Sequence, residues 1–380
     1  MLALAKVASP FLSSRISFTL KSKSKQRATG YTHAHSSNGK YMRRAQVNDL
    51  VLLGIETSCD DTGAAVVTSD GKILSQVISS QADLLVQYGG VVPKMAEEAH
   101  AQVIDRVVEQ AIQNAKLKPS DLTAVAVTIG PGLSLCLRIG VRKARTIAGK
   151  YSLPMVGVHH MEAHALVARL TEKELDFPFL TLLVSGGHNL LILAQNVGQY
   201  IQLGTTIDDA IGEAYDKIAK WLGLDMRKGG GPALEELAQE GDQDSIMLSV
   251  PMQKYKDCNF SYAGLKTQVR RVIEFNNINA ISVPIISASC EDRKLRANIA
   301  ASFQRVAVLH LEHKCERAVE WAQKMEPSIK TLVLSGGVAS NKYVRMQLDK
   351  IAKKHNLKLV CPPPNLCTDN GLSIFFSHDL

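Results

Sequence analysis

The chain has 380 residues, 46% of them hydrophobic and 21% charged, with a formal net charge of +8. That length and apolar content suit two lobes with their own cores and exclude a disordered or collagen-like chain. No apolar run approaches the roughly 18 to 20 residues that span a bilayer, so membrane insertion is not expected.

The charge is unevenly placed. Residues 1–48 hold nine Lys and Arg and no acid, leaving 35 basic against 36 acidic residues in the rest. This segment is Ser-rich with apolar patches at Phe11-Leu12 and Ile16-Ser17-Phe18, the composition of a mitochondrial transit peptide addressed to the matrix. The basicity therefore belongs to residues 1–48 and not to a broad nucleic-acid surface. Seven cysteines without a Cys-x-x-Cys give neither a disulfide frame nor a thiolate zinc site, and fit a reducing compartment.

From Val51 the pattern alternates short apolar runs with helical spacing. Strands are expected at Val51–Glu56, Ala64–Thr68 and Ile73–Ile78. A helix follows at His100–Ala115, then a strand at Ala124–Ile129, a helix at Ile139–Gly149 and a strand at Met155–Val158. The pattern then restarts with strands at Phe179–Val184 and Leu190–Ala194. Helices are expected at Asp208–Leu222 and Pro232–Gln239, with a long helical zone at Arg293–Gln323. A strand at Thr331–Leu334, a helix at Lys342–His355 and a strand at Leu357–Val360 close the series. Strands that open each half, with helices between the later ones, predict a duplicated α/β architecture. The first lobe is read as residues 49–170 and the second as 171–380.

Toward the end of the first lobe lies Val158-His159-His160-Met161-Glu162-Ala163-His164. If helical, it puts the imidazoles of His160 and His164 on one face, the spacing of a metal-binding pair. A zinc protease would carry its glutamate directly after the first histidine, where this chain has Met161. Glu162 stands two residues on, about 200° around the helix, and so points away from a shared metal. Spacing alone leaves metal binding and ordinary polar helix positions equally open.

Three turns at strand ends suit an anionic ligand. Ile55-Glu56-Thr57-Ser58-Cys59-Asp60-Asp61-Thr62 follows the first strand, and Val184-Ser185-Gly186-Gly187-His188 holds the matching place in the second half. Ser335-Gly336-Gly337-Val338-Ala339-Ser340-Asn341 joins a late strand to a helix. Glycine pairs let backbone N–H groups approach a phosphate, so an adenylate or ATP is the expected occupant.

Read together with Gly212-Glu213-Ala214-Tyr215-Asp216-Lys217, Gly230-Gly231-Pro232, Phe260-Ser261-Tyr262-Ala263-Gly264-Leu265-Lys266 and Cys367-Thr368-Asp369-Asn370, these turns and the histidine pair resemble the tRNA N6-adenosine threonylcarbamoyltransferases. This is the TsaD group, once known as the O-sialoglycoprotein endopeptidases or glycoproteases. The resemblance runs from about Val51 to Gly371 and, with residues 1–48, points to the mitochondrial member. It implies a fold like actin, Hsp70 and sugar kinases, with two ribonuclease-H-like lobes about a nucleotide cleft. It also implies transfer of threonylcarbamoyl from threonylcarbamoyl-AMP to N6 of adenosine 37, next to the anticodon, in mitochondrial tRNAs reading codons that begin with A. A threonylcarbamoyl-AMP synthase acting upstream and a homodimer are implied as well.

By motif position the resemblance assigns His160, His164 and Asp369 to one divalent metal ion, with zinc, iron and manganese not distinguished. Val184, Ser185, Gly186, Gly187 and His188 would cradle the donor's phosphate and carbamoyl end. Asp216, Gly231 and Glu235 would hold the ribose side. Ser340, Asn341 and Thr368 complete the substrate contacts, Asn341 on the adenine side. Asp60 and Asp61 are the candidate proton acceptors. Two basic clusters could meet tRNA or could be ordinary solvated helix faces: Arg138, Arg142, Lys143 and Arg145, and Lys266, Arg270 and Arg271.

The chain departs from the family pattern in three places. Cys59-Asp60-Asp61-Thr62 replaces the common Cys-Asp-Glu-Thr. Met226-Arg227-Lys228 lengthens the approach to the Gly230-Gly231 pair, leaving their register open by one. After Gly371 the sequence diverges at Leu372–Leu380, so an incomplete last helix with weaker metal retention is expected. The other readings are a nonenzymatic isoform, an ATPase or sugar kinase of the same fold, and a metalloprotease.

Overall fold

The computed structural model describes residues 50–81, 84, 91–280 and 282–367. Residues 1–48, Thr368 and Asp369 lie outside the described residues.

Two five-stranded sheets are built to one plan. In the first, β1 (Val51–Glu56), β2 (Thr62–Thr68) and β3 (Ile73–Ser79) run antiparallel, and β4 (Ala124–Gly130) and β5 (Met155–His159) add in parallel beyond β1, in the order β3-β2-β1-β4-β5. In the second, β6 (Phe179–Val184), β7 (Asn189–Asn196) and β8 (Gln199–Thr205) form the antiparallel meander. There β9 (Thr331–Ser335) and β10 (Lys358–Val360) add in parallel beyond β6. Strand for strand this is the same topology, the physical form of the duplication.

The central strands β1 and β6 are buried almost end to end, as strands covered on both faces must be. On the first sheet α1 (Pro93–Asn114) and α2 (Ser134–Tyr151) pack through Ile104, Val107, Val108, Ala144 and Ile147. The larger core of the second lobe gathers α4 (Ile211–Trp221), α5 (Gly230–Ala238), α6 (Ala263–Phe275) and α8 (Lys342–Lys354) around α7 (Cys290–Met325). No helix among the described residues is long and apolar enough to cross a membrane.

Between the sheets, α3 (His160–Leu166) serves both. Ala163 packs with Ala126 and Val158 of the first sheet, while Ala165 packs with Leu183 and Ile192 of the second. Leu166 continues into a cluster with Phe179, Val333 and Val360.

Helix α2 begins at Ser134, five residues before the expected Ile139, and three other elements differ more from the sequence reading. Helix α1 begins at Pro93, seven residues before His100, with proline in its first turn, where the missing N–H costs nothing. Strand β8 was not expected; it is an edge strand with only Gly204 buried, so it lacks a strong apolar signature. Helix α6 was also not expected, although Leu265, Val269 and Ile273 form its buried stripe.

Candidate functional site

The turn after β1 is fixed by buried polar groups. Glu56, only 2% exposed, accepts hydrogen bonds from the Ser58 amide (2.5 Å) and from the Thr128 hydroxyl. His100 is fully buried; its Nε2 meets the Cys59 carbonyl at 3.1 Å and its Nδ1 the Thr62 hydroxyl at 2.7 Å. A carbonyl can only accept, so Nε2 carries the hydrogen and Thr62 donates to Nδ1. Burial lowers the His100 pKa, which keeps this neutral tautomer in place. Asp60 and Asp61 lie half-buried in the turn so held.

The same turn reaches the histidine helix. Ser58 Oγ is 3.2 Å from His160 Nδ1, and Glu56 Oε2 is 3.5 Å from that nitrogen. The rings of His160 and His164 stand edge to face with centroids 4.6 Å apart. A carboxylate and a hydroxyl behind His160 Nδ1 match the outer-shell arrangement common to metal-bound imidazoles, in which Nε2 would be the ligating nitrogen. Two imidazoles so placed fit a borderline divalent cation. Asp369 is not among the described residues, and no group of three or more metal-ligating side chains occurs among those that are.

Glu162 leaves the helix in another direction. Its Oε1 accepts from the Tyr200 hydroxyl at 2.7 Å and the Gly198 amide at 3.2 Å, both on the β7–β8 hairpin. It therefore ties α3 to the second sheet, and the protease arrangement of base and histidines is absent.

The glycine turns meet at one place. A Cβ on Gly212 would lie 2.6 Å from the Ser185 carbonyl oxygen, and one on Gly336 (φ +96°) would lie 2.4 Å from that of Val184. Only glycine lets β6, β9 and the start of α4 approach so closely. In the 185–188 turn the Ser185 amide donates to the His188 carbonyl at 2.9 Å, and the His188 amide to Ser185 Oγ at 3.1 Å. The turn is thereby closed, with open space above Gly186 and Gly187.

A pocket of about 170 Å³ opens beside it, lined by Gly186, Tyr215, Asp216, Gly231, Glu235 and Ser340, with Gly212 and Asn341 also in the wall. Asp216 Oδ1 accepts from the Gly230 amide at 3.0 Å; desolvation raises its pKa, and bonds from the Gly230 and Gly231 amides oppose the rise. Glu235 Oε1 accepts from the Lys342 and Tyr343 amides at 2.7 and 3.3 Å and so caps α8. Asn341 caps the same helix through the Val344 amide at 2.9 Å and donates to Gln304 at 3.3 Å. Glu235 and Asn341 thus hold the wall together as well as line it. Glu56, Ser58, Gly212 and Gly336 stand in motifs read from the sequence, but their individual packing and hydrogen-bonding roles, like that of His100, depend on partners distant in the chain and are not legible there.

Four of the seven cations in the two basic clusters are paired with carboxylates, and Arg142, Arg145 and Arg271 have no such partner among the described residues. Arg138 pairs with Glu97 and Lys143 with Asp105, both at 2.7 Å. Lys266 lies 2.6 Å from Asp209 and 3.5 Å from Glu213, and Arg270 meets Glu274 at 2.8 Å.

The geometry has counterparts in known proteins. The family profile described as tRNA N6-adenosine threonylcarbamoyltransferase matches residues 72–376. The chain is 69% identical over 344 residues to the probable mitochondrial tRNA N6-adenosine threonylcarbamoyltransferase of Arabidopsis thaliana, an alignment covering 90% of this chain and 72% of that one. It is 42% identical to the mitochondrial enzyme of Xenopus tropicalis, covering 85% and 80%, and 44% identical to the Brucella ovis enzyme, covering 85% and 88%. Among solved structures, HypF of T. kodakarensis aligns with a TM-score of 0.53 at 17% identity, over 86% of this chain and 47% of that one. The fold is the two-lobed actin-like α/β fold. With its glycine turns converging on one pocket and a profile match over most of its length, the chain belongs to the tRNA N6-adenosine threonylcarbamoyltransferase family.

Proposed function

We propose that the chain transfers the threonylcarbamoyl group from threonylcarbamoyl-AMP to N6 of adenosine 37 in mitochondrial tRNAs reading codons that begin with A. The observation that carries this reading is the single pocket in which Gly186, Asp216, Gly231, Glu235 and Ser340 meet, in a chain of this family. A mitochondrial location is supported by the relatives' names. The matrix, a transit peptide in residues 1–48, a homodimer and an upstream threonylcarbamoyl-AMP synthase are parts of the proposal.

In this mechanism the Asp216 carboxylate accepts hydrogen bonds from the ribose hydroxyls, and Gly231 leaves room for the nucleoside. Glu235 reinforces the ribose side, with Ser340, Asn341 and Thr368 completing the contacts. Val184 to His188 cradle the donor's phosphate and carbamoyl end, with the Gly186 and Gly187 amides, which take no part in the bonds that close the turn, offered to the phosphate and to the oxygen of the carbamoyl group, where negative charge grows during attack. The N6 amine forms a bond to the carbamoyl carbon, the bond from that carbon to the phosphate oxygen breaks, and AMP leaves. Asp60 or Asp61 takes the proton released from N6. His160, His164 and Asp369 would hold the divalent metal, which when bound polarises and orients the donor.

Incubating the mature chain with mitochondrial tRNA, threonine, bicarbonate, ATP and a threonylcarbamoyl-AMP synthase should yield threonylcarbamoyladenosine on nucleoside analysis. Its absence, with the synthase shown to be active, overturns the reading.

A further inference from the structure

A second cleft, of about 260 Å³, lies on the second lobe away from the glycine turns and is bounded by Pro251, Met252, Gln253, His310, His313 and Arg317. One wall is the start of a strap, residues 251–257, whose first three residues line the cleft and whose main chain is pinned to α7 beyond them. Lys314 Nζ donates to the carbonyls of Tyr255 (3.0 Å) and Asp257 (3.1 Å) and to Asp257 Oδ1 (3.0 Å). Arg317 Nη1 donates to the same two carbonyls at 2.9 and 2.8 Å. Met252 turns the strap in the left-handed region (φ 48°), and the Tyr255 amide closes the turn onto the Met252 carbonyl at 3.0 Å. Such backbone is held only where its surroundings determine it.

With the main chain held inward, the side chains of Lys254, Tyr255 and Lys256 face solvent, Tyr255 being 62% exposed. The charge here is not balanced. Lys314 is met by Asp257, and the carboxylate of Glu316 is taken up by Lys354 and His355. Among the described residues, Lys254, Lys256 and Arg317 have no carboxylate partner within salt-bridge distance. In the cleft floor His310 is fully buried, and its Nε2 accepts from the Ser261 amide at 3.2 Å, so Nδ1 carries the hydrogen. No partner meets that Nδ1 at hydrogen-bond geometry, although the Pro251 carbonyl is close enough to favour the protonated ring slightly.

We infer that this strap and cleft form a phosphodiester-binding surface for the tRNA substrate, with Lys254, Lys256 and Arg317 meeting backbone phosphates and Tyr255 stacking an unpaired base. The inference rests on the transferase reading and adds to it a docking surface. A small anion calls for donors that converge on one point, whereas on the strap two exposed lysines, Lys254 and Lys256, flank the exposed ring of Tyr255, with Arg317 on α7 beneath. That alternation suits a single strand whose phosphates and bases alternate. The surface also leads to the pocket along the chain. After the strap, Ser261 Oγ and the Tyr262 amide bond Asp208 at 2.5 and 2.9 Å, and Asp208 precedes α4, which carries Gly212 and Asp216.

The test is the triple variant Lys254→Ala/Tyr255→Ala/Lys256→Ala, whose altered side chains leave the anchoring carbonyls in place, with an unchanged melting temperature as the check on folding. Binding of unmodified tRNA is titrated at several salt concentrations, and KM is measured separately for tRNA and for threonylcarbamoyl-AMP. Two lost single-strand phosphate contacts should flatten the slope of log K against log salt by about 1.4. Affinity for tRNA should fall about tenfold or more, with KM for threonylcarbamoyl-AMP unchanged. Lys254→Arg/Lys256→Arg should keep the wild-type slope, and Lys72→Ala/Lys118→Ala, on exposed sites of the first lobe, should leave it unaltered. An unchanged slope and tRNA KM in the triple variant, or an equal loss in the first-lobe pair, overturns the surface while wild-type modification of tRNA keeps the transferase reading. A wild-type chain that neither binds nor modifies tRNA overturns both.

Discussion

Adjacent glycines at the start of α5 should respond to alanine in opposite ways. A Cβ on Gly230 would stand 2.6 Å from Asp216 Oδ1, 2.7 Å from Asp216 Cα and 2.9 Å from Met226 Cε. Carbon pairs rest at about 3.5 Å or more, so α4 and α5 would have to part by roughly 0.8 Å. Overpacking of this kind costs about 1–3 kcal/mol, and the better helix propensity of alanine, at most about 1 kcal/mol, offsets only part of it. A Cβ on Gly231 meets no heavy atom within 4 Å and enters the pocket of about 170 Å³ instead. Gly230→Ala should therefore lower the melting temperature by several degrees, whereas Gly231→Ala should leave it unchanged and weaken AMP binding about tenfold, or roughly 1.4 kcal/mol. Scanning calorimetry and AMP titration calorimetry on both variants read the two effects. Equal losses of melting temperature, or full AMP affinity in Gly231→Ala, would refute the assignment of Gly231 to the ligand side and Gly230 to the packing side.

Two further outcomes concern histidines. Burial, then the charges of Lys314 and His313, push the His310 pKa down to about 4 from 6.5, against a weak opposing pull from Asp208. The unfolded chain takes up a proton that the folded ring refuses, so stability is fully present above pH 6.5 and declines by about 3 kcal/mol as pH falls to 4. His310→Gln should flatten that decline in urea unfolding between pH 7 and 4.5, and a decline as steep as wild type would contradict it. In a separate measurement, His160→Ala and His164→Ala should each lower bound divalent metal at least about tenfold after dialysis, read by elemental mass spectrometry. Stoichiometric metal in both variants would remove them from the site.

The parts of the molecule legible in sequence were those carried by local pattern. The break between Val158 and His160 that starts α3, the Gly186-Gly187 turn and the apolar runs of β1 and β6 depend on near neighbours, and they lie where their spacing indicated. Edge strand β8 was missed because it exposes most of its length, although the Asn196-Val197-Gly198 turn before it, with Gly198 at φ +69°, was a usable signal. The strap at 251–257 has no periodicity to read. It is ordered by Lys314 and Arg317, about sixty residues away in the chain. Likewise, that Glu235 caps α8 depends on a backbone 107 residues distant, which spacing cannot reveal.

The position of α3 sets a dimension of the molecule. Its alanines face opposite ways, Ala163 toward Ala126 and Val158, Ala165 toward Leu183 and Ile192. A seven-residue helix with one small side chain on either flank acts as a gauge whose thickness fixes how far apart the two sheets stand. The imidazoles ride on that gauge and the 185–188 turn on the strand it presses against. A bulkier residue at 163 or 165 would therefore alter the span between the histidine pair and the amides at the phosphate end, changing the length of ligand that could bridge them without touching a ligating atom.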